Sequence, residues 1–298
     1  MEEQQTVAVV GATGFVGSHV VPRLVASGHR VHAVSRSGRR LSAWGAEVET
    51  AAANIETGNG LVDALRGVDA LVHLVAIPRE RGGRRLEDVN MRGVEHVVAA
   101  AEEAGARRIV HLSVLGVSDD PKLRYLSSKW RGEQAVRASN LEWVVLRPSL
   151  LFGEGDGFFS LIETTLTWWS PGIVAIPGDG LTRFQPLSVE DVAIAVERCV
   201  AEKERAGSTY ELGGPAYLTY REIVDTVMRV TGKRRLKLNL PVPVISAITA
   251  VTDRILPIFP VSHDQIASLG RPNYTDLDAF QRAFGIAPRP FDIGYLAG

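Results

Sequence analysis

The sequence predicts an α/β protein built on a doubly wound parallel sheet. Short Val/Ile/Leu runs alternate with segments of helical periodicity, which reads as successive βαβ units. Several runs, such as Trp143-Val144-Val145-Leu146, are apolar throughout, as strands covered on both faces require. The first run is followed at once by a glycine cluster that opens a helix.

In order, residues 6–10 predict the first strand and 15–27 a helix with Val16, Val20 and Leu24 on one face. Pro22 lies inside that helix and should kink it or cost it a hydrogen bond. Strands are expected at 30–35, 47–50, 70–74, 108–112 and 142–146, with helices at 92–104 and 126–138. After Pro148 the character changes: residues 153–157 and 171–180 are Gly/Pro-rich loops, and Phe158, Phe159, Trp168 and Trp169 concentrate aromatic rings. Residues 207–298 are read as short elements only. The division expected is a sheet domain over 1–150 and a smaller C-terminal lobe over 151–298, interleaved with late strands of the sheet.

Composition narrows the functional classes. With 33 Lys+Arg against 34 Asp+Glu, the chain has no bulk charge to attract nucleic acid or an anionic membrane. A single cysteine, Cys199, excludes an intramolecular disulfide and multi-cysteine metal sites, and reads as a buried helix residue. No His/Asp/Glu spacing suggests a metal; His73 and His111 read as core imidazoles within strands. Glu2 and Glu3 run straight into a strand, so no signal peptide is expected and the location assigned is cytoplasmic. The apolar stretch 241–261 carries four prolines, Asp253 and Arg254, and is not a transmembrane span.

Gly11, Thr13, Gly14, Phe15, Val16 and Gly17 form the loop between strand and helix. Gly11 permits a tight turn, Gly14 lets backbone approach a pyrophosphate, and Gly17 allows close helix–strand packing. The anion then meets unpaired N–H groups at the helix N-terminus. This is the dinucleotide loop of a Rossmann-type sheet. About twenty residues on, where an acid would read the adenosine ribose, stands Ser35-Arg36-Ser37. A guanidinium there forks onto a 2′-phosphate, so NADP(H) is expected in preference to NAD(H). Arg39 and Arg40 read as a solvated turn.

With that loop in place, the whole chain resembles the extended or atypical short-chain dehydrogenases/reductases, the relatives of the NAD-dependent epimerases/dehydratases. Asn54-Ile55 stands where the family has Asp-Leu or Asp-Ile against the adenine, and Val75-Ala76 matches the loop that passes over the cofactor. Asn90-Met91-Arg92-Gly93 matches the family's Asn-x-x-Gly, and Arg147-Pro148-Ser149 the segment bordering the nicotinamide. Within the superfamily the nearest resemblance is to the group of the NADPH-binding accessory subunit of respiratory complex I. It rests on His111-Leu112-Ser113-Val114-Leu115-Gly116, on residues 146–153 and 184–193, and on Asp264-Gln265-Ile266.

The resemblance implies that Tyr125 and Lys129 are the Tyr-x-x-x-Lys pair. Four residues apart, they share a helix face, so the ammonium should lower the phenol's pKa and hydrogen-bond the nicotinamide ribose. Tyr125 would then balance hydride transfer with a proton. The hydroxyl that holds the substrate oxygen in the family falls on Val114 here; Ser113 either substitutes for it or caps the strand. Asp191 reads as a helix cap. The aromatic cluster reads as packing of the lobe, or else as the lining of an apolar substrate pocket or partner surface.

The function expected is hydride transfer between NADP(H) and a small, fairly apolar carbonyl or alcohol, with the C-terminal lobe on the substrate side. Two alternatives stay open: a non-catalytic NADP(H)-binding structural or redox-sensing protein, and a sugar-nucleotide epimerase or dehydratase. The partners expected are a small-molecule substrate, apolar on this reading, and no nucleic acid, with a protein partner or a second copy left open.

Overall fold

A computed structural model describes residues 4–164, 166, 172–241, 243–244 and 271–297. Trp168, Trp169, Asp264-Gln265-Ile266 and most of the stretch 241–261 lie outside the described residues. The chain divides into two compact units, residues 1–148 with 189–211, and residues 149–188 with 212–298.

In the first unit the apolar runs become β1 (Thr6–Val10), β2 (Arg30–Ser35), β3 (Glu49–Ala52), β4 (Ala70–His73), β5 (Arg108–Leu112) and β6 (Glu142–Pro148). With a late strand, Ser208–Leu212, they form a seven-stranded sheet in the order β3-β2-β1-β4-β5-β6 and then the late strand. The ladders that join β1 to β6 are all parallel. The order reverses between β1 and β4, the crevice where ligands bind in doubly wound sheets.

Alternation sorts the strand residues between two layers. Ala8, Val10, Leu71, Ile109 and Val145 face α2 (Leu61–Leu65), α3 (Gly93–Ala104) and α4 (Arg124–Arg137), whose Leu61, Val94, Val97 and Val136 complete one core. α1 (Phe15–Ala26) packs against the helix Val189–Ala201, joined by Arg23 Nη2 at 2.6 Å from a Glu197 carboxylate oxygen. α1 runs through Pro22, which is exposed, so the ring meets water and costs only its own missing N–H.

Several boundaries depart from expectation: α4 runs Arg124–Arg137 rather than 126–138, and α1, β3 and β4 end within two residues of where they were read. β3 begins two residues later than read, at Glu49, because its pairing with His32 sets the register. α3 is entered through a π-helical turn, Asp88–Arg92, and β6 continues to Pro148. The short α2, five residues long, has too few turns to show a helical period in sequence.

The second unit has a separate core of Phe152, Phe159, Ile162, Leu166, Val174, Ile176, Phe184, Ile223, Val224, Val227 and Ile293. Three two-stranded ladders frame it, including a parallel pair of Ile173–Pro177 with Leu236–Leu240. Residues 207–298 hold more than short elements: Tyr220–Val230 is an eleven-residue amphipathic helix. It opens on a capping box in which Thr219 accepts from the Glu222 N–H and Glu222 accepts from the Thr219 N–H. Among the described residues, no helix is long and apolar enough to cross a membrane.

Candidate active site

β1 delivers the chain into the glycine loop at φ +95° on Gly11, where a Cβ would stand 2.9 Å from Val75 Cγ2. A Cβ on Gly17 would lie 2.4 Å from the Gly11 carbonyl oxygen and 2.6 Å from that of Ala12. Only glycine lets α1 come this close to the loop. Gly14 is the N-cap of α1 and supplies no side-chain cap; its own N–H donates to the Gly11 carbonyl at 3.0 Å. Phe15 and Val16 open the helix, and Thr13 precedes them half-buried. The arrangement presents first-turn N–H groups and the positive end of the helix dipole to an anion.

At the end of β2 the Ser35 hydroxyl is buried without a hydrogen-bond partner among the described residues, while its carbonyl accepts the Ala53 N–H at 2.9 Å. Arg36 and Ser37 are exposed, and the Arg36 guanidinium has no ion-pair or hydrogen-bond partner among the described residues. Arg40, by contrast, is spent on the Gly45 carbonyl. Asn54 Oδ1 accepts the Glu56 N–H at 2.9 Å, closing a local Asx turn. Ile55 is buried in the core, and a Cβ on Gly93 would stand 2.8 Å from its Cδ1. So the glycine of Asn-x-x-Gly serves packing beneath Ile55.

The asparagine of that motif acts as a clamp. Buried Asn90 accepts the Ile77 N–H and donates to the Ile77 carbonyl, both at 2.9 Å, and donates to Ser128 Oγ at 3.0 Å. It thereby ties the Val75-Ala76 loop to α4. Gly132 lets α4 close on this clamp, since a Cβ there would meet the Asn90 carbonyl oxygen at 2.2 Å.

Tyr125 lies half-buried in the first turn of α4, and Lys129 one turn on is 2% exposed. Lys129 Nζ donates to the Leu112 carbonyl at 2.7 Å. Burial lowers its pKa to about 8, opposed by the charge of Glu133. The expected lowering of the Tyr125 phenol is not found: desolvation instead raises it to about 12. The ammonium is engaged by the carbonyl at the end of β5, and loss of water governs the phenol.

Beside Lys129 the strand pairing His73↔His111 stacks two imidazoles, centroids 5.1 Å apart, with their Nδ1 atoms separated by 3.0 Å. His73 is held at about 3, first by burial and then by the Lys129 charge, and the same causes hold His111 well below its usual range. Among the described residues their Nε2 atoms are buried without hydrogen-bond partners, and the buried Ser113 hydroxyl lies toward Glu133 and helps to lower its pKa. Val114 is half-buried and offers no hydroxyl. Pro148, buried at the end of β6, accepts the Leu115 N–H at 2.9 Å and so fixes the loop after Ser113.

Glu133, absent from the sequence reading, is fully buried between Arg147 at 2.7 Å and Arg137 at 2.8 Å. Burial opposes its ionisation, but hydrogen bonds from the two guanidinium groups outweigh it and lower its pKa. Its spacing of four from both Lys129 and Arg137 was the signal available in sequence. Elsewhere, Cys199 is buried with its thiol pushed up to about 12, as an inert core residue. Asp191 lies buried in the first helical turn rather than at the cap position expected of it. Phe159 packs at 5.2 Å against Phe291 and edge-on to Phe158, within the second unit's core.

Comparison with known proteins agrees with this geometry. The profile of a family described as NAD(P)H-binding matches residues 11–166. The chain is 26% identical over 286 residues to the mitochondrial NADH-ubiquinone oxidoreductase 40 kDa subunit of Neurospora crassa, covering 91% of this chain and 74% of that one. It is 29% identical over 254 residues to a ceramide reductase of Caulobacter vibrioides, covering 83% and 77%. The fold superposes on MoeE5, solved with UDP-glucuronic acid and NAD, at a TM-score of 0.73 and 24% identity, covering 96% of this chain and 94% of that one.

Proposed function

This chain belongs to the NAD(P)H-binding family and has the extended short-chain dehydrogenase/reductase fold, and from that premise we propose that it is an NADP(H)-dependent oxidoreductase. Its substrate is a small, fairly apolar carbonyl compound. The observation that carries the cofactor assignment is Arg36: an exposed guanidinium at the end of β2 without a partner among the described residues, next to a Ser35 hydroxyl that likewise has none, where NAD-selective sheets carry an acid. The residues present fit a dinucleotide, because the approach at Gly17 and the side-chain-free cap at Gly14 leave room for phosphate against backbone.

When bound, the nicotinamide supplies or accepts the hydride. The chain's own groups handle the rest. A phenol near 12 is protonated at neutral pH, so Tyr125 is set up to donate a proton to a reduced carbonyl oxygen rather than to withdraw one from an alcohol. Lys129 spends one of its three N–H donors on Leu112, leaving two for the cofactor ribose. The ceramide reductase relative fits an apolar carbonyl substrate.

Val114 and the buried Ser113 favour a second reading, a non-catalytic NADP(H)-binding subunit, to which the 40 kDa relative lends weight. NADPH oxidation across a panel of hydrophobic ketones, aldehydes and quinones separates the two. The oxidoreductase predicts turnover that Tyr125→Phe suppresses. Tight NADPH binding with no Tyr125-dependent oxidation would leave the subunit reading.

A further inference from the structure

The parallel pair Ile173–Pro177 and Leu236–Leu240 in the second unit has two unlike faces. Inward, Val174 and Ile176 are buried, and Lys237 pairs with Asp225 at 2.6 Å. Outward stand Ile173, Ala175, Leu236 and Leu238, placed opposite one another by the register Leu236↔Ile173 and Leu238↔Ala175. Leu236 is 70% exposed, Leu238 46% and Ile173 43%. A lone exposed leucine is ordinary, but three large apolar side chains facing water on one ladder are not.

The turn that leads into this face is basic, while Asp225 is taken up by Lys237 on the inward side and Asp179 follows the strand Ile173–Pro177 at its far end. From Thr226 to Pro241 the chain carries Arg229, Lys233, Arg234, Arg235 and Lys237 and no acid, in a protein whose net charge is −1. Arg229 and Arg234 are exposed, and Lys233 and Arg234 lie in the turn that leads into Leu236. An apolar patch bordered by cations matches the interface of a bilayer with anionic headgroups, where leucines enter the acyl boundary and arginines meet phosphate. We propose that this face docks the protein peripherally on anionic membrane. Such docking goes beyond the cofactor assignment and stands or falls separately from it; an apolar substrate would be met at the same surface.

Co-sedimentation of the full chain with phosphatidylcholine vesicles, with and without phosphatidylglycerol, tests the proposal. Binding is expected only with the anionic lipid and should fall as salt is raised. Leu236→Ser/Leu238→Ser and Arg229→Glu/Arg234→Glu should each reduce it by about tenfold or more, with thermal melting and NADPH affinity unchanged. Absence of vesicle binding, equal binding to neutral vesicles, or binding unaffected by both double variants would overturn the proposal. So would a concentration-dependent dimer in sedimentation velocity that Leu236→Ser/Leu238→Ser abolishes, because the face would then serve a second copy. An NADPH titration on the same samples shows independently whether the cofactor assignment holds.

Discussion

The glycine loop after β1 and the polar cluster at the ends of β4 and β5 solve different problems with different materials. The loop works through backbone. Gly11 turns, Gly17 yields space, and α1 offers uncapped N–H groups; no titratable side chain takes part. The cluster works through side chains gathered from three elements and a loop: His73 from β4, His111 from β5, Ser113 just past its end, and Lys129 and Glu133 from α4. One site is local in sequence and shaped for a fixed charge. The other is assembled over sixty residues of chain and sets the protonation of groups shielded from water. Binding and chemistry should therefore separate under mutation, loop and β2-end changes acting on affinity and cluster changes on turnover and pH response.

The largest effect expected lies on the chemical side. Tyr125→Phe removes the proton donor and should lower carbonyl turnover about 10²–10⁴-fold while leaving NADPH affinity nearly intact. Steady-state rates beside a calorimetric titration check both halves; a parallel loss of affinity would show that the two regions are not separable at this residue.

Gly17→Val sharpens the loop side. Its Cβ alone would stand 2.4 Å from a carbonyl oxygen, so α1 must withdraw from the loop. Overpacking of this kind costs about 1–3 kcal/mol, and NADPH affinity should fall roughly 10- to 100-fold or more. Unchanged affinity in a folded variant would remove the anion from this loop.

Lys129→Met tests whether the buried cation is retained for function. It removes a desolvated charge holding one carbonyl, so denaturant unfolding should show the variant at least as stable as the parent. NADPH binding and turnover should nevertheless weaken. A variant that is less stable but binds NADPH normally would mark Lys129 as structural.

The smallest effect concerns acid stability. His73 is depressed to about 3 from an ordinary 6.5, so the unfolded chain takes up a proton over that window which the folded chain refuses. His73 thus contributes stability that is present above pH 6.5 and lost as pH falls toward 3. Urea midpoints measured between neutral pH and about pH 4 should decline more steeply for the parent than for His73→Asn. Equal slopes would show that the imidazole pair does not govern this limb.

The same contrast explains what was legible in sequence. β1, β2 and β5 were readable to the residue because continuous Val/Ile runs are bounded by glycine or charge. The glycine loop was readable because its geometry depends on neighbours within seven residues. The cluster was only half visible. Tyr125 and Lys129 could be placed through the resemblance to the Tyr-x-x-x-Lys pattern, but the stacking of His73 on His111 depends on strand register between residues 38 positions apart. The phenol's pKa was misjudged for the same reason, since desolvation is a property of the packed core rather than of the Tyr-x-x-x-Lys pattern. Glu133 escaped notice because a carboxylate on a helix ordinarily faces water, and its burial is tolerable here because Arg147, arriving from β6, joins Arg137 of its own helix against it.

The central claim is that the β2 end reads a 2′-phosphate. Calorimetric titration of the parent and of Arg36→Asp with NADPH and with NADH tests it most directly. Charge-assisted contacts of about 1.5–3 kcal/mol predict NADPH binding roughly 10- to 100-fold tighter than NADH in the parent. Arg36→Asp should abolish or reverse that preference. Equal affinities for the two dinucleotides in the parent, or a preference for NADPH that survives Arg36→Asp intact, would contradict the account.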